Sequence, residues 1–211
     1  MSRADEIFIA NCKDILENGV WDTEANVRPH WEDGTPAHTV KKFGIVNRYD
    51  LRKEFPIQTI RRCAFRSCVD EILWIWQKKS NNVHDLNSHI WDSWADETGS
   101  IGKAYGYQLG KKAIYREGEF DQVDRVLFDL KHNPASRRIM TNLYNFEDLH
   151  EMHLYDRHIP IVREVISNEP KPAPKLIVDP DVHNFYDFTV DSFRLENYEY
   201  TPLTTKIPVA I

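Results

Sequence analysis

The sequence has few cysteines and no long apolar run, and these two shortages exclude several classes of protein. Its three cysteines, Cys12, Cys63 and Cys68, are an odd number without Cys-x-x-Cys spacing. This pattern predicts neither a disulfide framework nor a zinc site. The first 19 residues contain no apolar signal core, and no later stretch approaches the length of a membrane span. The chain is therefore expected to be cytoplasmic, with no membrane partner and no metal.

An excess of positive charge is also missing. The 27 lysines and arginines are outnumbered by 33 aspartates and glutamates, which leaves a net charge of -6 at pH 7. General binding of nucleic acids or anionic membranes needs a basic face, so both functions are excluded, although single arginines could hold one small phosphate. Repeats and low-complexity tracts are absent, and 211 residues with 41% hydrophobic content suffice for one core. A single domain over residues 1–211 is predicted.

The order of apolar and turn-forming residues predicts a mixed α+β fold. Ser2 and Gly19 bound a predicted N-terminal helix, and Asp121 begins another that Asn133-Pro134 stops. Residues 64–78 predict a helix that is apolar on nearly every side and therefore buried. Further predicted elements are a loop at 27–39, strands at 43–49, 139–143, 176–178 and 193–195, and a helix at 159–166.

Several residues could support chemistry, and each also has an ordinary structural explanation. A carboxylate inside an apolar helix, as at Glu71, is a candidate general acid or base, or half of an ion pair with a nearby arginine. Trp91 and Trp94 are three residues apart and could present an aromatic wall or belong to the core. Arg137 and Arg138 could bind phosphate in a fork-like geometry, or they could belong to a solvated face.

Six blocks of sequence, taken in order, resemble the thymidylate synthase family of bacterial and phage type. They are residues 71–76 (EILWIW), 90–97 (IWDSWADE), 105–108 (YGYQ), 133–139 (NPASRRI), 153–158 (HLYDRH) and 208–211 (PVAI). Blocks that occur together in the right order are far more specific than any one of them. The resemblance implies a thymidylate synthase-like α+β fold, with a mixed sheet and flanking helices, and a homodimer.

The resemblance also implies roles for catalytic and folate-side residues. Glu71 matches a glutamate that helps to polarise the pyrimidine carbonyl through water, and Tyr105 matches a tyrosine that helps to remove the C5 proton. Trp91 and Trp94 match positions on the side of the reduced folate, 5,10-methylenetetrahydrofolate, which acts as co-substrate. The terminal residues Ala210 and Ile211 match a tail that folds over that folate and excludes water.

Five further residues match positions that bind the nucleotide dUMP. Arg28 matches an arginine that closes over the phosphate, while Arg137 and Arg138 match a pair that reaches the phosphate of the neighbouring subunit. Adjacent residues of a strand point to opposite faces, so in the predicted strand the two arginine side chains could not easily bind one group of their own subunit. A dimer resolves this, because the arginines can then reach the phosphate bound by the neighbouring subunit. His153 and Tyr155 match the pair that hydrogen-bonds the deoxyribose 3′-hydroxyl.

One part of the family pattern is missing. Near residues 152–156 the chain joins two pieces that the family keeps apart, and the segment expected between them would include the Pro-Cys nucleophile. Residues 152–155 can be aligned to either side of this break. The family reaction is the reductive methylation of dUMP to dTMP, which begins when a thiolate attacks the pyrimidine ring. This chain is therefore expected to be an inactive, internally truncated copy.

Three interpretations remain open at this point. The first is a shortened thymidylate synthase, and the second is a pyrimidine nucleotide hydroxymethylase, which shares the phosphate and folate elements. The third is a non-catalytic nucleotide-binding remnant. Cys63 lies among Arg61, Arg62 and Arg66 near a helix start, where a thiolate is favoured, but family members carry a cysteine there without using it as the nucleophile.

Overall fold

The computed structural model describes residues 2–23, 27, 29–145, 154–203, 205 and 207–208. In this part of the chain the α-helices are α1 (Arg3–Asn18), α2 (Phe65–Trp76), α3 (Tyr105–Gly110), α4 (Gln122–His132) and α5 (Ile159–Ser167). The strands are β1 (Val20–Trp21), β2 (Thr39–Lys41), β3 (Ala113–Tyr115), β4 (Gly118–Phe120), β5 (Leu154–Tyr155), β6 (Lys175–Val178) and β7 (Phe193–Glu196). Helices and small sheets together confirm the α+β class.

The strands form three small sheets. In the first, β2 lies between β1 and β5 and pairs antiparallel with both, so that Trp21 is opposite Val40 and Tyr155 is opposite Thr39. The hairpin of β3 and β4 forms the second sheet, and β6 with β7 forms the third. The predicted strands at 176–178 and 193–195 are confirmed by β6 and β7.

Two helices begin and end where the sequence predicts. Ser2 caps α1 by accepting the backbone N–H of Asp5, and the N–H of Gly19 closes the other end on Ile15. Asp121 caps α4 in the same way and Asn133 ends it. These termini are local in origin, because a side-chain oxygen satisfies N–H groups that the helix itself cannot. The predicted helix at 159–166 is confirmed as α5.

The chain divides into two compact units. Unit 1 consists of Met1–Cys63, Glu151–Ile177 and Arg194–Ile211, and unit 2 of Ala64–His150 and Val178–Phe193. In unit 1, α1 packs against α5 and β2. In unit 2, α2 packs against α3, α3 against α4, and a core forms around Trp74, Ile75, Leu86, Leu109 and Val123. The single-domain organisation stays a prediction.

A fully buried carboxylate ties the start of α1 to a distant loop of unit 1. Asp5 accepts hydrogen bonds from the Ser2 hydroxyl at 2.8 Å, the Thr59 backbone N–H at 2.8 Å and the Thr59 hydroxyl at 2.6 Å. The Thr59 hydroxyl also accepts the Lys171 N–H at 2.6 Å. Buried carboxylates need such donors, and here they join three chain segments that are far apart in sequence.

Three predictions about local structure are wrong. Residues 43–49 and 139–143 form no strand, and Phe43, Val46 and Met140 are each more than two-thirds exposed. A strand needs a neighbour for its backbone groups, and in the part of the chain described here neither segment is paired in a sheet. Helix α2 is not buried on all sides, because Ile72 is 53% exposed while Trp74 and Ile75 enter the core.

Candidate active site

Glu71 and Trp91 form a direct hydrogen bond in unit 2. Glu71 lies on α2 one turn before the core residue Ile75, so its side chain leaves the helix at the edge of the core and is half-buried. The indole N–H of Trp91 donates to the Glu71 carboxylate with Nε1 and Oε1 2.7 Å apart. Among the described residues no arginine or lysine pairs with Glu71, so the carboxylate is oriented by a neutral donor.

Trp91 is the centre of a small aromatic group. Its ring centroid lies 5.5 Å from that of Trp94 and 6.0 Å from that of Tyr105, and both pairs meet edge to face. Trp91 packs against the core of unit 2, whereas Trp94 and Tyr105 are 48% and 43% exposed. The group therefore has a half-buried inner ring and two outer rings whose surfaces are open to solvent, which suits the stacking of a flat ligand.

The loop that presents the two tryptophans is held by a tight turn. Trp91 stands just before a short 3₁₀ turn, Asp92–Trp94, and the Asp96 carboxylate then accepts the backbone N–H groups of Thr98 and Ser100 at 2.9 and 3.0 Å. Between them Gly99 has φ +82°, and a Cβ there would meet the His84 ring at 2.7 Å. Only glycine fits this position, because both the backbone angle and the available space exclude a side chain.

Tyr105 is placed by the close approach of two backbones. It is the first residue of α3. The next residue, Gly106, has no room for a side chain, because an added Cβ would lie 2.0 Å from the carbonyl oxygen of Ser80. The glycine thus lets the start of α3 contact the chain that follows α2, and this contact fixes where the Tyr105 ring lies.

Arg137 and Arg138 lie in a turn after α4 and are both exposed. The expectation that they begin a strand is wrong, so their side chains are not forced onto opposite faces of a sheet. The backbone N–H of Arg138 donates to the Ser136 hydroxyl at 3.2 Å. Neither guanidinium forms an ion pair with a carboxylate of the described residues, so both charges remain available to an anion from outside the unit.

Tyr155 belongs to a second aromatic group, in unit 1. Its ring lies 5.7 Å from that of Trp31 and 5.5 Å from that of His158, and the rings of Trp31 and His158 are also 5.7 Å apart. The predicted site residues Arg28, His153, Ala210 and Ile211 fall outside the described residues. The structure thus brings Glu71, Tyr105, Trp91 and Trp94 together in unit 2 and leaves Tyr155 with different neighbours in unit 1.

The thiols of the chain differ in environment. Cys12 is buried in α1, and burial raises the pKa of its thiol to about 11, which disfavours the thiolate at neutral pH. Cys63 is half-buried, with Sγ 3.8 Å from the Gln58 carbonyl oxygen and its backbone N–H donating to the Tyr198 hydroxyl at 2.7 Å. Cys68 is exposed on α2.

Comparisons with known proteins agree on one family. The family described as thymidylate synthase matches residues 6–153 and, separately, 149–211. Thymidylate synthase 1 of Bacillus subtilis strain 168 is 36% identical over 270 residues, covering 95% of this chain and 96% of the relative. The chain belongs to the thymidylate synthase family. Thymidylate synthase of Bacillus phage phi3T is likewise 36% identical over 270 residues.

A solved structure supports the same assignment for the fold. Thermostable thymidylate synthase A from Bacillus subtilis superimposes with a TM-score of 0.88 at 34% identity, covering 98% of this chain and 99% of the other. The expected thymidylate synthase-like fold is therefore confirmed. The alignments to the family relatives run over 270 residues, more than the 211 of this chain, so part of each relative has no counterpart here.

Sequence reasoning missed two residues that organise the Tyr155 group of this thymidylate synthase family member. Trp31 lies in the stretch interpreted only as a loop, and Arg157 lies within the block 153–158, in which only His153 and Tyr155 were given a role. The one available signal was a tryptophan inside a loop of prolines and a glycine, where a large apolar side chain needs a partner. The partner of Trp31 is Tyr155, which is more than a hundred residues away in sequence, so no local pattern indicates the contact.

The described residues form neither a metal-binding cluster nor a membrane-spanning helix. In this part of the chain, no group of three or more histidine, cysteine, aspartate or glutamate side chains has the geometry to hold a metal ion. Within the same residues, no helix combines the length and apolar character that crossing a membrane requires.

Proposed function

We propose that this chain binds dUMP and a reduced folate, the substrates of the reductive methylation that yields dTMP, but does not complete the reaction. Family membership supports the two substrates, and the family match in two separate segments, which overlap at residues 149–153, supports a missing internal segment. The observation that carries the proposal is that the alignments exceed the length of the chain, while its last cysteine is Cys68.

The folate side of the proposal rests on the aromatic group in unit 2. Trp94 and Tyr105 each expose close to half of their surface, and Trp91 fixes their position from the core. Such an arrangement can stack a flat pterin ring, and the bound folate would supply the methylene carbon and the hydride. Glu71, oriented by the Trp91 indole, is then the candidate for polarising the pyrimidine carbonyl through water.

The nucleotide side of the proposal rests on cations and on Tyr155. Arg137 and Arg138 are exposed and, within the described residues, unpaired, which suits a phosphate held by the neighbouring subunit's arginines in a dimer. Arg28 is proposed for the same phosphate from its matching position in the family. His153 and Tyr155 are proposed to hydrogen-bond the deoxyribose 3′-hydroxyl.

Catalysis requires a cysteine sulfur that attacks the pyrimidine ring, and we propose that this cysteine belongs to the missing segment. Addition of a thiolate to C6 makes C5 of the pyrimidine nucleophilic, and every later step depends on this addition. None of the three cysteines follows a proline, and the thiol of Cys12 is buried with a raised pKa. Cys63 is not proposed as a replacement, since family members carry a cysteine there without using it.

The proposed homodimer has support in unit 1. Residues 43–51 expose apolar side chains in succession, including Phe43 at 71%, Val46 at 77% and Leu51 at 72%. Apolar surface that clusters in this way marks a contact with another protein, and a second copy is the occupant that the family implies. Sedimentation should show a dimer that a Phe43→Ser/Val46→Ser double variant shifts toward the monomer.

The test of the proposed function separates binding from turnover. Isothermal titration should show that the full chain binds dUMP, and [5-³H]dUMP with methylenetetrahydrofolate should release no tritium. Release of tritium that persists in a Cys63→Ser variant would show that the missing segment is dispensable. A preference for dCMP over dUMP would favour the hydroxymethylase, which is the second candidate because the missing segment includes the expected asparagine that separates the two bases.

A further inference from the structure

Trp31 lies at the centre of the aromatic group of unit 1 and is 4% exposed. Its ring meets the edges of Tyr155 and His158, each with centroids 5.7 Å away. Its indole N–H donates to the Asp156 carboxylate with Nε1 and Oδ1 3.1 Å apart. Trp31 therefore contacts Tyr155, Asp156 and His158, although 124 positions of sequence separate it from Tyr155.

Arg157 braces Trp31 from the outer side. Its guanidinium lies over the indole, 4.9 Å from the ring centroid, and its Nη2 donates to Asp33 at 2.6 Å and to the Thr35 hydroxyl at 2.8 Å. The loop itself is closed by the Trp31 N–H, which donates to the Thr35 carbonyl at 2.9 Å. Arg157 thus holds the Trp31 ring and the loop that follows it, Asp33 and Thr35, through a cation–π contact, an ion pair and a hydrogen bond.

The backbone of Tyr155 is fixed independently of Trp31. Tyr155 is opposite Thr39 in the β2–β5 ladder, and the next N–H, of Asp156, donates to the His38 carbonyl at 2.8 Å. A ladder sets the position of the Cα but leaves the side chain its rotamers. The edges of Trp31 and His158, which are 5.7 and 5.5 Å from the Tyr155 ring, restrict those rotamers.

We propose that Trp31, braced by Arg157, is a positioning residue for Tyr155 and thereby sets the preference of the site for a nucleotide with a 3′-hydroxyl. This rests on the proposed function, in which Tyr155 hydrogen-bonds that hydroxyl. Trp31 itself is buried and offers no surface to a ligand, whereas Tyr155 is half-buried. Hydrogen bonds weaken steeply with misalignment, so a freed tyrosine ring loses the contact while the rest of the nucleotide stays bound.

The experiment compares dUMP with 2′,3′-dideoxyuridine 5′-monophosphate, which lacks only the 3′-hydroxyl. Titration calorimetry on the full chain should give a preference for dUMP of at least about two- to tenfold, the usual range for the one neutral hydrogen bond that Tyr155 contributes. Trp31→Phe removes the indole N–H and part of the ring edge. In this variant the ratio of the affinity for dUMP to that for the dideoxynucleotide should fall toward one. The affinity for the dideoxynucleotide should not change, and loss of fold alone cannot produce this selective result.

Arg157→Met is the second variant. The Arg157 side chain is 42% exposed, so its replacement leaves the buried ring of Trp31 in a folded chain, and the ratio should fall here as well. Two matched controls should keep the ratio of the unmodified chain. Trp21→Phe makes the same exchange at a tryptophan that is 45% exposed. Arg52→Met makes the same exchange at an arginine bound to Asp50 at 2.8 Å.

Each result decides between this proposal and the function on which it rests. A chain that binds neither nucleotide overturns both. Equal affinities for the two nucleotides in the unmodified chain overturn the role of Tyr155, and the positioning role with it, while nucleotide binding stands. An unchanged preference in folded Arg157→Met and Trp31→Phe overturns the positioning role alone. If Trp31→Phe does not fold, Arg157→Met gives the answer by itself.

Discussion

Units 1 and 2 each contain a tryptophan whose indole donates to a carboxylate, but the two tryptophans differ in burial. In unit 2, Trp91 donates to Glu71 at 2.7 Å, and its neighbours Trp94 and Tyr105 are close to half exposed. In unit 1, Trp31 donates to Asp156 at 3.1 Å and is almost completely buried. The same type of hydrogen bond, from an indole N–H to a carboxylate, therefore occurs once beside exposed rings and once in a buried group.

This difference in burial indicates different roles: exposed rings can contact a ligand, whereas a buried ring supports the residues around it. A buried ring contributes to stability through the area that it removes from water and through its close packing. An exposed ring contributes less to stability, and exposed rings that cluster, as Trp94 and Tyr105 do around Trp91, are typical of a contact with a ligand. We infer that the group of unit 2 serves a bound molecule directly, while Trp31 acts by holding its neighbours.

The largest expected effect is on stability. Replacing Trp31 with alanine should lower the free energy of unfolding by about 3–5 kcal/mol, as for other buried aromatic residues. Trp94→Ala should cost about 1 kcal/mol or less, because the ring is already 48% exposed. Urea unfolding followed by circular dichroism measures both values. Equal losses in the two variants would contradict the distinction between a closed and an open group.

The next largest effect is expected from loss of the buried Asp5 carboxylate in unit 1, which should also lower the free energy of unfolding. Asp5→Ala leaves the buried Thr59 N–H without an acceptor and removes the closer of two acceptors from the Ser2 and Thr59 hydroxyls, so stability should fall by about 3 kcal/mol. The matched control is Asp14→Ala, on the same helix, whose carboxylate binds Lys42 near the surface and should cost much less. A small loss in Asp5→Ala would mean that water replaces the carboxylate.

Folate binding should depend on the exposed rings of unit 2, although these rings contribute little to stability. Trp94→Ala should weaken binding of tetrahydrofolate about two- to tenfold, the range expected for loss of one aromatic contact, with nearly unchanged stability. Trp21→Ala is the control, because that tryptophan is comparably exposed at 45% and lies in unit 1. Fluorescence titration measures both variants. If Trp21→Ala weakens folate binding as much, the open group of unit 2 is not the folate surface.

The smallest expected effect concerns acid. Hydrogen bonds from Thr35 and the guanidinium of Arg157 hold the pKa of Asp33 well below its usual range. A lowered carboxyl pKa stabilises the fold above the unfolded value of about 4, and this stabilisation is lost as the pH falls through the folded-state pKa. The small stability advantage of the unmodified chain over Asp33→Asn should therefore be complete at neutral pH and shrink in strong acid. Urea unfolding across the acid range tests this.

Prediction from sequence succeeded where the determinant is local. The ends of α1 and α4 follow from Ser2, Gly19, Asp121 and Asn133, which act on backbone groups within one helical turn. The proposed strand at 43–49 failed because alternation of apolar residues does not supply a pairing partner. Of the candidate site, the resemblance to a family selected Glu71, Trp91, Trp94 and Tyr105, which the structure brings together, but nothing local indicated that Trp31 would meet Tyr155.

By itself the sequence determined the termini of α1 and α4, the α+β class and the family of this protein, because these depend on short-range spacing and on ordered blocks of residues. Only the tertiary structure decided which tryptophan is buried and which is open, and which carboxylate each indole meets. The reason is that burial and cation–π contacts depend on the folding of distant segments against each other. Arg157 acts on Trp31 only because β5 pairs with β2 and brings the two together.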